Sequence, residues 1–419
     1  MLLTVDIGTS SLKSALWDFG GNRLSFYSVP LSIQNNGDLK HEADPLIWLN
    51  GFKECCKNIF SGSFSINKTE AIVISGNGPS LVPVFGAPEI KNGLYAPALN
   101  ARLWLDRRAE KYQDIVKNVM GGFVDASFFL PKIMYIKNEE REIYEKTKTF
   151  LGCPEYLAYT LTGQAKTVFP CEGFDRWFWN DDVLKELKLD ASKFPEFINP
   201  GEQFGVLSAS AADLLGFKKN IPVISGGPDF YAAILGSGVT EPGQALDRTG
   251  SSEGINLCTN KLINLDNFLS YKHPIKPYWN LSAIISKSGI AIENECKRLG
   301  VSNFDNFISL AKENCEEKGK SARTVLEDIC FKIKEIIIKM EGQCANINEL
   351  RVTGGLSDCD LLNQLKADIT GKKIITLNYK EAELLGCAII GCCFLGKYAS
   401  YSEASSAMLK VKKCYEPGL

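Results

Sequence analysis

Hydrophobic and polar positions alternate in three short runs at the start of the chain. One apolar run ends at Val5-Asp6, "LKSALWDF" alternates as a second run, and "RLSFYSV" alternates as a third. Gly20-Gly21-Asn22 lies between the last two runs and is typical of a hairpin turn. Because a period of two is typical of strands, the pattern predicts an antiparallel β-meander over residues 1–30.

The period then changes to that of a helix. "DPLIWLNGFKECCKNIF" has helical spacing, with Asp44 predicted as the N-cap and Pro45 at the first helical position. "EAIVISGNG" predicts a buried strand that ends in a glycine-rich turn, and helical patterns continue to about residue 220. "IPVISGGPDFYAAILGSG" predicts a strand, a turn and a helix. Strands that alternate with helices indicate an α/β protein.

The same plan returns after "VTEPGQ". "ALDRTGSS", "GINLCTN" and "NLSAIISKSG" predict a second meander, followed by helices over 321–343, 358–370 and 380–398 with the strands "ELRVTGG" and "KIITL" between them. The first hairpin also aligns with "ALDRTGSSEGINL": Asp6, Ser10, Ser11 and Leu16 match Asp247, Ser251, Ser252 and Leu257. The repeat predicts two related domains, residues 1–241 and 242–419.

Length and composition agree with two folded domains. A chain of 419 residues is too long for one ordinary core, and 45% hydrophobic with 23% charged residues is typical of a folded protein. The net charge of −2, with lysine and arginine scattered, argues against nucleic acid and anionic membranes as partners. Without a long apolar stretch or a leader pattern, we expect a cytoplasmic protein.

Cysteine and histidine usage narrows the chemistry. The chain has 14 cysteines, two pairs of which are adjacent, so we expect small buried hydrophobes and no disulfide framework. His41 and His273 are the two histidines, which argues against a histidine zinc site. The mechanism must therefore use carboxylates, backbone amides and hydroxyls.

Two motif matches need a structural context that the pattern does not predict. "GSSEG" fits the G-x-S-x-G pattern of a serine hydrolase with Ser252 as nucleophile and His273 as its histidine. That elbow requires strand, turn and helix, whereas a strand pattern continues after Gly254. "GCCFLGKY" nearly fits a P-loop, but Tyr398 stands where Ser or Thr binds magnesium, and the segment ends a helix. A serine hydrolase stays as a remote alternative.

The remaining turns suit phosphoryl transfer. A tight Gly-Thr-Ser-Ser hairpin offers backbone N–H groups and hydroxyls to phosphate oxygens, and Asp6 ahead of it can hold hydrated Mg²⁺. Thr249-Gly250-Ser251-Ser252 is a second such turn, and the glycine pair in "TGGLSD" lets the backbone lie close to a base or sugar. Each of these three segments, taken alone, is also compatible with an ordinary turn. Together and in this order they favour a nucleotide site.

Asp229 follows a predicted strand and opens a predicted helix. Backbone N–H groups and the positive helix end favour the ionised carboxylate, which a general base requires. A helix N-cap would have the same local pattern, so both roles stay open on the residues alone.

The ordered segments resemble the FGGY carbohydrate kinases, which belong to the actin/hexokinase/heat-shock-70 superfamily. The resemblance covers about residues 1–400 and rests on VDIGTSSLK, ISGNGPSLVPV, PALNARLWLDRRAEKY, EYLAYTLTG, ISGGPDFYAAILGSG, DRTGSSEG, RVTGGLSD and EAELLGCAIIG. It implies an α/β fold of two ribonuclease-H-like domains, each with a mixed five-stranded sheet flanked by helices, and an active-site cleft between them. It also implies ATP, Mg²⁺ and transfer of the γ-phosphate to a hydroxyl of a pentulose, hexulose or polyol.

The resemblance assigns roles to residues. It implies that Asp229 is the catalytic base and contacts the sugar, and it agrees with Asp6 as the magnesium residue, acting through water. It implies sugar contacts at Asn77, Asp106 and Arg107. It implies ATP and phosphate contacts at Gly8, Thr9, Ser10, Ser11, Lys13, Thr249, Gly250, Ser251, Ser252, Gly354 and Gly355.

The chain departs from the family in two places. Asn77-Gly78-Pro79 stands where xylulose-type members have Gln-Met-His, and a Pro-Tyr-Leu-x-Gly-Glu-Arg segment is missing near Gly319, which predicts a shortened second domain. A non-catalytic sugar- or nucleotide-binding paralogue therefore stays open, as does a homodimer. Trp17, Trp104 and Trp177 could stack on a sugar, but such tryptophans are more often core residues.

Overall fold

The computed structural model describes residues 1–35, 37, 39–90, 94–343 and 346–418. The chain forms two compact units, the first from Met1–Ala232 and Gly386–Met408, the second from Ala233–Leu385 and Leu409–Leu419. These bounds differ from the division after residue 241 that the repeat predicts, because short C-terminal segments return to each unit. The functional boundary at residue 241 stays a prediction.

Strands and helices alternate through both units. The strands are β1 Leu2–Ile7, β2 Ser11–Trp17, β3 Arg23–Pro30, β4 Gln34–Asn35, β5 His41–Ala43, β6 Ala71–Gly76, β7 Val82–Val84, β8 Glu89–Ile90, β9 Leu94–Tyr95, β10 Ala101–Arg102, β11 Thr149–Leu151, β12 Lys166–Val168, β13 Glu196–Ile198, β14 Gln203–Val206, β15 Pro222–Pro228, β16 Gln244–Thr249, β17 Glu253–Thr259, β18 Leu269–Lys272, β19 Trp279–Ile285, β20 Glu349–Gly354, β21 Lys373–Leu377 and β22 Val411–Tyr415. The helices are α1 Leu46–Ile59, α2 Gln113–Met120, α3 Phe129–Glu139, α4 Arg141–Lys146, α5 Cys153–Thr162, α6 Asp181–Glu186, α7 Ala209–Leu215, α8 Asp229–Ser237, α9 Ser288–Leu299, α10 Phe304–Glu313, α11 Glu317–Glu341, α12 Asp360–Thr370, α13 Ala382–Phe394 and α14 Tyr401–Met408.

The first unit is built on a six-stranded sheet in the order β14-β15-β6-β1-β2-β3. β1, β2 and β3 form the predicted antiparallel meander, while β1, β6 and β15 run parallel. Every residue of β1 and β6 is buried, as expected for central parallel strands covered on both faces. The prediction of an N-terminal meander followed by a buried strand is confirmed.

The second unit repeats this plan. Its seven-stranded sheet has the order β18-β19-β17-β16-β20-β21-β22, with β16, β17 and β19 as the meander and β16, β20 and β21 parallel. Both sheets therefore contain the expected five-stranded core, extended by the edge strand β14 in one and by β18 and β22 in the other. The predicted duplication of an α/β fold is confirmed.

The start of α1 and the end of α13 are displaced from their predicted positions for local reasons. α1 begins at Leu46 with Pro45 as its N-cap, yet the Asp44 Oδ1 still accepts a hydrogen bond of 2.9 Å from the Leu46 N–H. The last long helix, α13, ends at Phe394, short of residue 398, and Gly396 beyond it has a φ of 67°. A residue in that left-handed conformation stops a helix.

Several cysteines are the small buried residues that the sequence predicts. The described cysteines are free, and Cys55, Cys153, Cys330 and Cys387 are among those that are buried. None of the helices in the described part of the chain is long and apolar enough to cross a membrane.

Gly386 allows α13 to lie directly against α8 in the first unit. A Cβ atom at Gly386 would lie 1.8 Å from the Ala232 carbonyl oxygen, far inside contact distance. Because the obstacle is backbone, a side chain here must push the two helices apart.

We predict that Gly386→Ala lowers the free energy of unfolding by about 1–3 kcal/mol, the usual range for overpacking a core. Urea denaturation at equilibrium measures it. Gly62→Ala is the matched control, because a Cβ atom at Gly62 meets nothing within 4 Å. Equal stability of the two variants would contradict the packing argument.

Candidate active site

Three candidate segments end neighbouring parallel strands of the first unit. Ile7 of β1 pairs with Gly76 of β6, and Gly76 in turn pairs with Pro228 of β15. The turn over residues 8–11, then Asn77, and then Asp229 follow directly from these three strand ends. The sheet register therefore brings the predicted phosphate turn, the predicted sugar residue and the predicted base to one edge.

The first turn is closed by a backbone hydrogen bond of 3.0 Å from the Gly8 N–H to the Ser11 carbonyl. Asp6 lies just ahead of it with 5% of its side chain exposed. Lys13 of β2 pairs directly with Asp6, so their side chains lie on the same face of the sheet. The predicted magnesium carboxylate and a predicted phosphate lysine are thus cross-strand neighbours.

The Thr9 hydroxyl joins this turn to the sugar-side residues. It accepts hydrogen bonds from the Trp104 Nε1 at 3.0 Å and from the Asn77 Nδ2 at 3.4 Å. Trp104 is 38% exposed, whereas Trp17 is completely buried in the core. An anchored and exposed indole can stack on a ligand. Sequence reasoning did not separate Trp104 from Trp17, because each directly follows a leucine.

Asp229 opens α8, and its Oδ1 accepts a hydrogen bond of 2.7 Å from the Phe230 N–H. The strand before it bulges at Ser225–Gly227, and Gly227 has a φ of 75°, which favours glycine. This bulge directs the chain from β15 into α8. The carboxylate is partly buried at a helix N-terminus, where backbone N–H groups attract negative charge.

Cys153 marks the region that the candidate carboxylates share. Its Sγ donates a hydrogen bond of 2.9 Å to the Asn77 carbonyl oxygen. Burial, followed by the nearby charges of Glu155, Asp229 and Asp6, raises the pKa of this thiol well above its ordinary value. Asp6 and Asp229 therefore both lie close enough to Cys153 to act on it electrostatically.

Asp106 is engaged inside the protein. It is 1% exposed, and its oxygens accept hydrogen bonds from the Arg108 Nη2 at 2.8 Å and the His41 N–H at 3.1 Å. The Arg107 Nη1 donates to the Asp125 Oδ1 at 2.5 Å. These contacts hold the segment that carries Trp104. Direct sugar contacts by Asp106 and Arg107 stay a prediction.

In the second unit, Thr249 connects the other two predicted nucleotide segments. Its Oγ1 donates to the Thr353 carbonyl at 2.8 Å and accepts from the Leu356 N–H at 3.0 Å. Gly354 has a φ of 89°, and a Cβ atom there would lie 2.0 Å from the Thr249 carbonyl oxygen. Thr249–Ser252 and Gly354-Gly355 are therefore held side by side.

The two Asp-x-x-x-Ser-Ser hairpins differ in register. Asp6 pairs with Lys13, seven positions along by sequence number, whereas Asp247 pairs with Ile255, eight positions along. Asp247 is also completely buried and forms an ion pair with Lys366. The sequence alignment of Asp6 with Asp247 therefore identifies matching strands, but the two carboxylates have different surroundings.

The start of α9 was missed by sequence reasoning. A Cβ atom at Gly289 would lie 2.2 Å from the Gly250 carbonyl oxygen, so this helix start lies against the second turn. Lys287 has a φ of 63°, and the Ser288 Oγ is buried with no hydrogen-bond partner among the described residues. The available signal was "SKSG", small polar residues between a strand and a helix.

The serine hydrolase alternative is wrong. Ser252 lies in a hairpin turn between the antiparallel strands β16 and β17, whereas a nucleophile elbow joins a strand to a helix. Burial lowers the pKa of His273 to about 4, and its Nδ1 accepts a hydrogen bond of 3.0 Å from the Ile275 N–H. His273 is thus a buried residue whose Nδ1 is held by its own loop.

Lys132 on α3 is a second residue that sequence reasoning missed. Its ammonium is almost completely buried and donates to the carbonyls of Pro79, Arg102 and Leu103 at 2.7, 3.2 and 2.7 Å. It therefore ties the turn after Asn77 to the strand that precedes Trp104. Burial lowers the pKa of Lys132 to about 7.

Comparison with known proteins identifies what this geometry resembles. A model described as the FGGY family of carbohydrate kinases, N-terminal domain, matches residues 1–236, and the C-terminal domain model of the same family matches residues 306–394. A xylulose kinase of Staphylococcus xylosus is 26% identical, over 97% of this chain and 94% of the relative.

Solved structures share the fold. The ligand-bound xylulose kinase from Lactobacillus acidophilus matches with a TM-score of 0.83 at 18% identity, over 100% of this chain and 94% of the other. The Plasmodium falciparum glycerol kinase with ADP matches with a TM-score of 0.81 at 16% identity, over 99% of this chain and 94% of the other.

We predict that Lys132 makes stability depend on pH. Between pH 7 and the ordinary lysine pKa, the unfolded chain binds more protons at this residue than the folded chain. Stability of the wild type relative to Lys132→Met should therefore increase with pH by about 1 kcal/mol per unit above pH 7. Urea denaturation of both proteins at several pH values measures the difference.

Lys146→Met replaces an exposed lysine and is the matched control. Its stability difference from the wild type should be the same at each pH. If the stability difference between Lys132→Met and the wild type is also the same at each pH, Lys132 keeps its proton in the folded state.

Proposed function

Because the chain belongs to the FGGY family of carbohydrate kinases, we propose that it transfers the γ-phosphate of ATP to a hydroxyl of a small pentulose, hexulose or polyol. The observation that carries this proposal is the common edge at which β1, β6 and β15 end. One strand end supplies a phosphate-binding turn, the next a hydrogen-bonding amide, and the third the carboxylate of Asp229. Phosphoryl transfer to an alcohol needs these three kinds of group together.

Asp229 acts as the general base in this proposal. The acceptor hydroxyl gives its proton to the carboxylate while its oxygen forms a bond to the γ-phosphorus, and the bond from that phosphorus to the bridging oxygen of ADP breaks. The N-terminus of α8 and the Phe230 N–H stabilise the ionised carboxylate before the reaction. Proton removal by a positioned carboxylate is the contribution that this residue type makes to such chemistry.

The acceptor is placed by Trp104 and Asn77. The Trp104 indole is exposed but held at its Nε1 by Thr9, so its face can support the carbon skeleton of a sugar. Asn77 is fixed through its backbone and its amide, and the Ser80 hydroxyl donates to its Oδ1 at 3.0 Å. The relatives named xylulose kinase and glycerol kinase support an acceptor of pentulose or polyol size.

Each unit has a hairpin turn that we assign to phosphate binding. In the first unit the residues are Gly8–Ser11 and Lys13, and in the second they are Thr249–Ser252. Their amides, hydroxyls and one ammonium suit phosphate oxygens. Gly354 and Gly355 offer a surface without side chains to the adenosine. Ser288 adds a buried hydroxyl beside the second turn, and Lys287 next to it adds a cation.

Asp6 suits hydrated Mg²⁺. Among the described residues, no group of three or more His, Cys, Asp or Glu side chains is arranged to hold a metal ion by itself. Mg²⁺ in phosphate sites keeps several waters and needs one or two carboxylates plus substrate phosphates, which a single Asp6 beside a phosphate turn can satisfy. When bound, Mg²⁺ neutralises phosphate charge, while Asp6 orients its waters.

We predict that Asp229→Asn lowers turnover by about 10²–10⁴-fold while leaving ATP affinity nearly intact, since it removes the base and keeps the shape. A screen of pentuloses, hexuloses and polyols by coupled ADP release first identifies the acceptor, and calorimetry measures ATP binding. Asp114→Asn, an exposed carboxylate, is the matched control.

Wild-type turnover in Asp229→Asn would contradict its role as the base. ATP and sugar binding with no turnover for any acceptor would favour the alternative of a non-catalytic paralogue.

We predict that Asp6→Ala raises the Mg²⁺ concentration needed for nucleotide binding by about tenfold, the scale found when a residue that supports a bound metal is removed. Calorimetric ATP titrations at stepped Mg²⁺ concentrations measure this without turnover. Binding of ATP in the absence of Mg²⁺ should be similar in both proteins. An unchanged Mg²⁺ titration would make Asp6 a purely structural residue.

A further inference from the structure

A buried cluster of three ionisable side chains lies directly beneath the second turn. The Lys366 Nζ donates to the Asp247 Oδ2 at 2.5 Å and also to the Glu253 Oε1. The three side chains are between 0% and 1% exposed. No step of the proposed phosphoryl transfer uses them, so their presence needs a separate explanation.

The position of the cluster relates it to the nucleotide segments. Asp247 lies two residues before Thr249, and Glu253 follows Ser252, so the two carboxylates enclose the turn from both strands of its hairpin. Lys366 lies on α12, the helix that follows Gly354-Gly355. The Lys366 ammonium therefore connects both ends of the second turn to α12, the helix after Gly354-Gly355. The Thr249 Oγ1 makes a second connection between the same two segments.

The charges in the cluster do not cancel. Two carboxylates face one ammonium in a completely buried cluster, so one carboxylate keeps a proton. Burial, followed by repulsion from Glu253, raises the pKa of Asp247 well above its ordinary value. Burial lowers the pKa of Lys366 and the two carboxylates raise it, with a net rise that keeps the ammonium charged. Cys330 of α11 also faces the cluster, and burial raises its pKa to about 12, so it stays a neutral thiol.

Stability alone does not explain such a cluster. Replacing buried ion pairs by apolar residues of similar volume is often neutral or stabilising, whereas a charge network imposes directional hydrogen bonds. Here the hydrogen bonds of the cluster hold both ends of the turn that the proposed function assigns to phosphate binding.

We propose that Asp247, Glu253 and Lys366 are positioning residues that hold the Thr249–Ser252 turn in the geometry required to bind the nucleotide. The inference rests on the proposed function only in taking this turn as a nucleotide contact. In the wild type, the proton on Asp247 is shared with Glu253, and the Lys366 ammonium completes the cluster.

Amide substitutions test the shared proton. An amide at either carboxylate position can accept from Lys366 through its oxygen and donate to the remaining carboxylate through its nitrogen, as a protonated acid does. Asp247→Asn and Glu253→Gln should therefore each bind ADP within about threefold of the wild type. The double variant leaves the Lys366 charge unpaired and should bind ADP about tenfold more weakly or worse.

The dependence on pH gives a second readout. When pH rises far enough for the wild type to lose the shared proton, two carboxylates repel each other beside the turn. ADP binding by the wild type should therefore weaken with rising pH relative to Asp247→Asn, which has no such proton. Identical pH profiles of the two proteins would contradict a shared proton.

Calorimetric ADP binding and thermal unfolding together separate positioning from stability. If the double variant does not fold, Lys366→Met added to it removes the unpaired charge, and this triple variant should fold but still bind ADP weakly. ADP binding at the wild-type level in the double or the triple variant would overturn the proposal.

Tyr271→Phe is the control, because it removes a buried hydrogen bond to Asn256 in the same sheet and should leave ADP binding unchanged. Failure of the wild type to bind ADP would instead contradict the proposed function.

Discussion

The parallel pairing of β1, β6 and β15 is the constraint on which the candidate site depends. Backbone hydrogen bonds set Ile7, Gly76 and Pro228 at one level across the sheet, so the residues that follow them must share an edge. A shift of one residue in any strand would turn alternate side chains to the opposite face. The complete burial of β1 and β6 opposes such a shift, because it would cost the packing of both helix layers. The hydrophobic core and the chemistry of the site are thus determined by the same register.

Polar groups near the site are fixed by contacts that are distant in sequence. Lys132 joins carbonyls on two loops, Thr9 joins Trp104 to Asn77, and Thr249 joins its own turn to the Gly354 segment. Each contact replaces water around a buried polar group, and an unsatisfied group there would cost free energy. Loops without regular secondary structure are held in place in this way, which is what a binding site on loops requires.

The success of sequence reasoning varied with the range of the interaction. The meander over residues 1–30, the buried strand before Asn77 and the repeat after residue 244 follow from local periodicity, and the structure confirms them. The site residues that are turn glycines and hydroxyls could be proposed from composition and resemblance. Trp104, Lys132 and Lys366 could not be singled out, because an exposed indole and a buried ammonium are defined by partners from 29 to 119 positions away. The start of α1 depends on its cap, and the end of α13 depends on one glycine. The hydrophobic pattern locates such helix ends only approximately.

Four aspartates show why residue type alone does not determine a role. Asp106 has Arg108 as a partner and Asp247 has Lys366, and both carboxylates are buried in contacts within the protein. Asp6 and Asp229 instead stand where parallel strands end, at the edge that also carries Asn77. A buried carboxylate that already has a cation gains little from a second one, whereas the carboxylate of Asp229 lies beside a backbone N–H group at the start of α8. The position of each aspartate relative to the strand ends therefore separates those that support the site from those that we propose to take part in its chemistry.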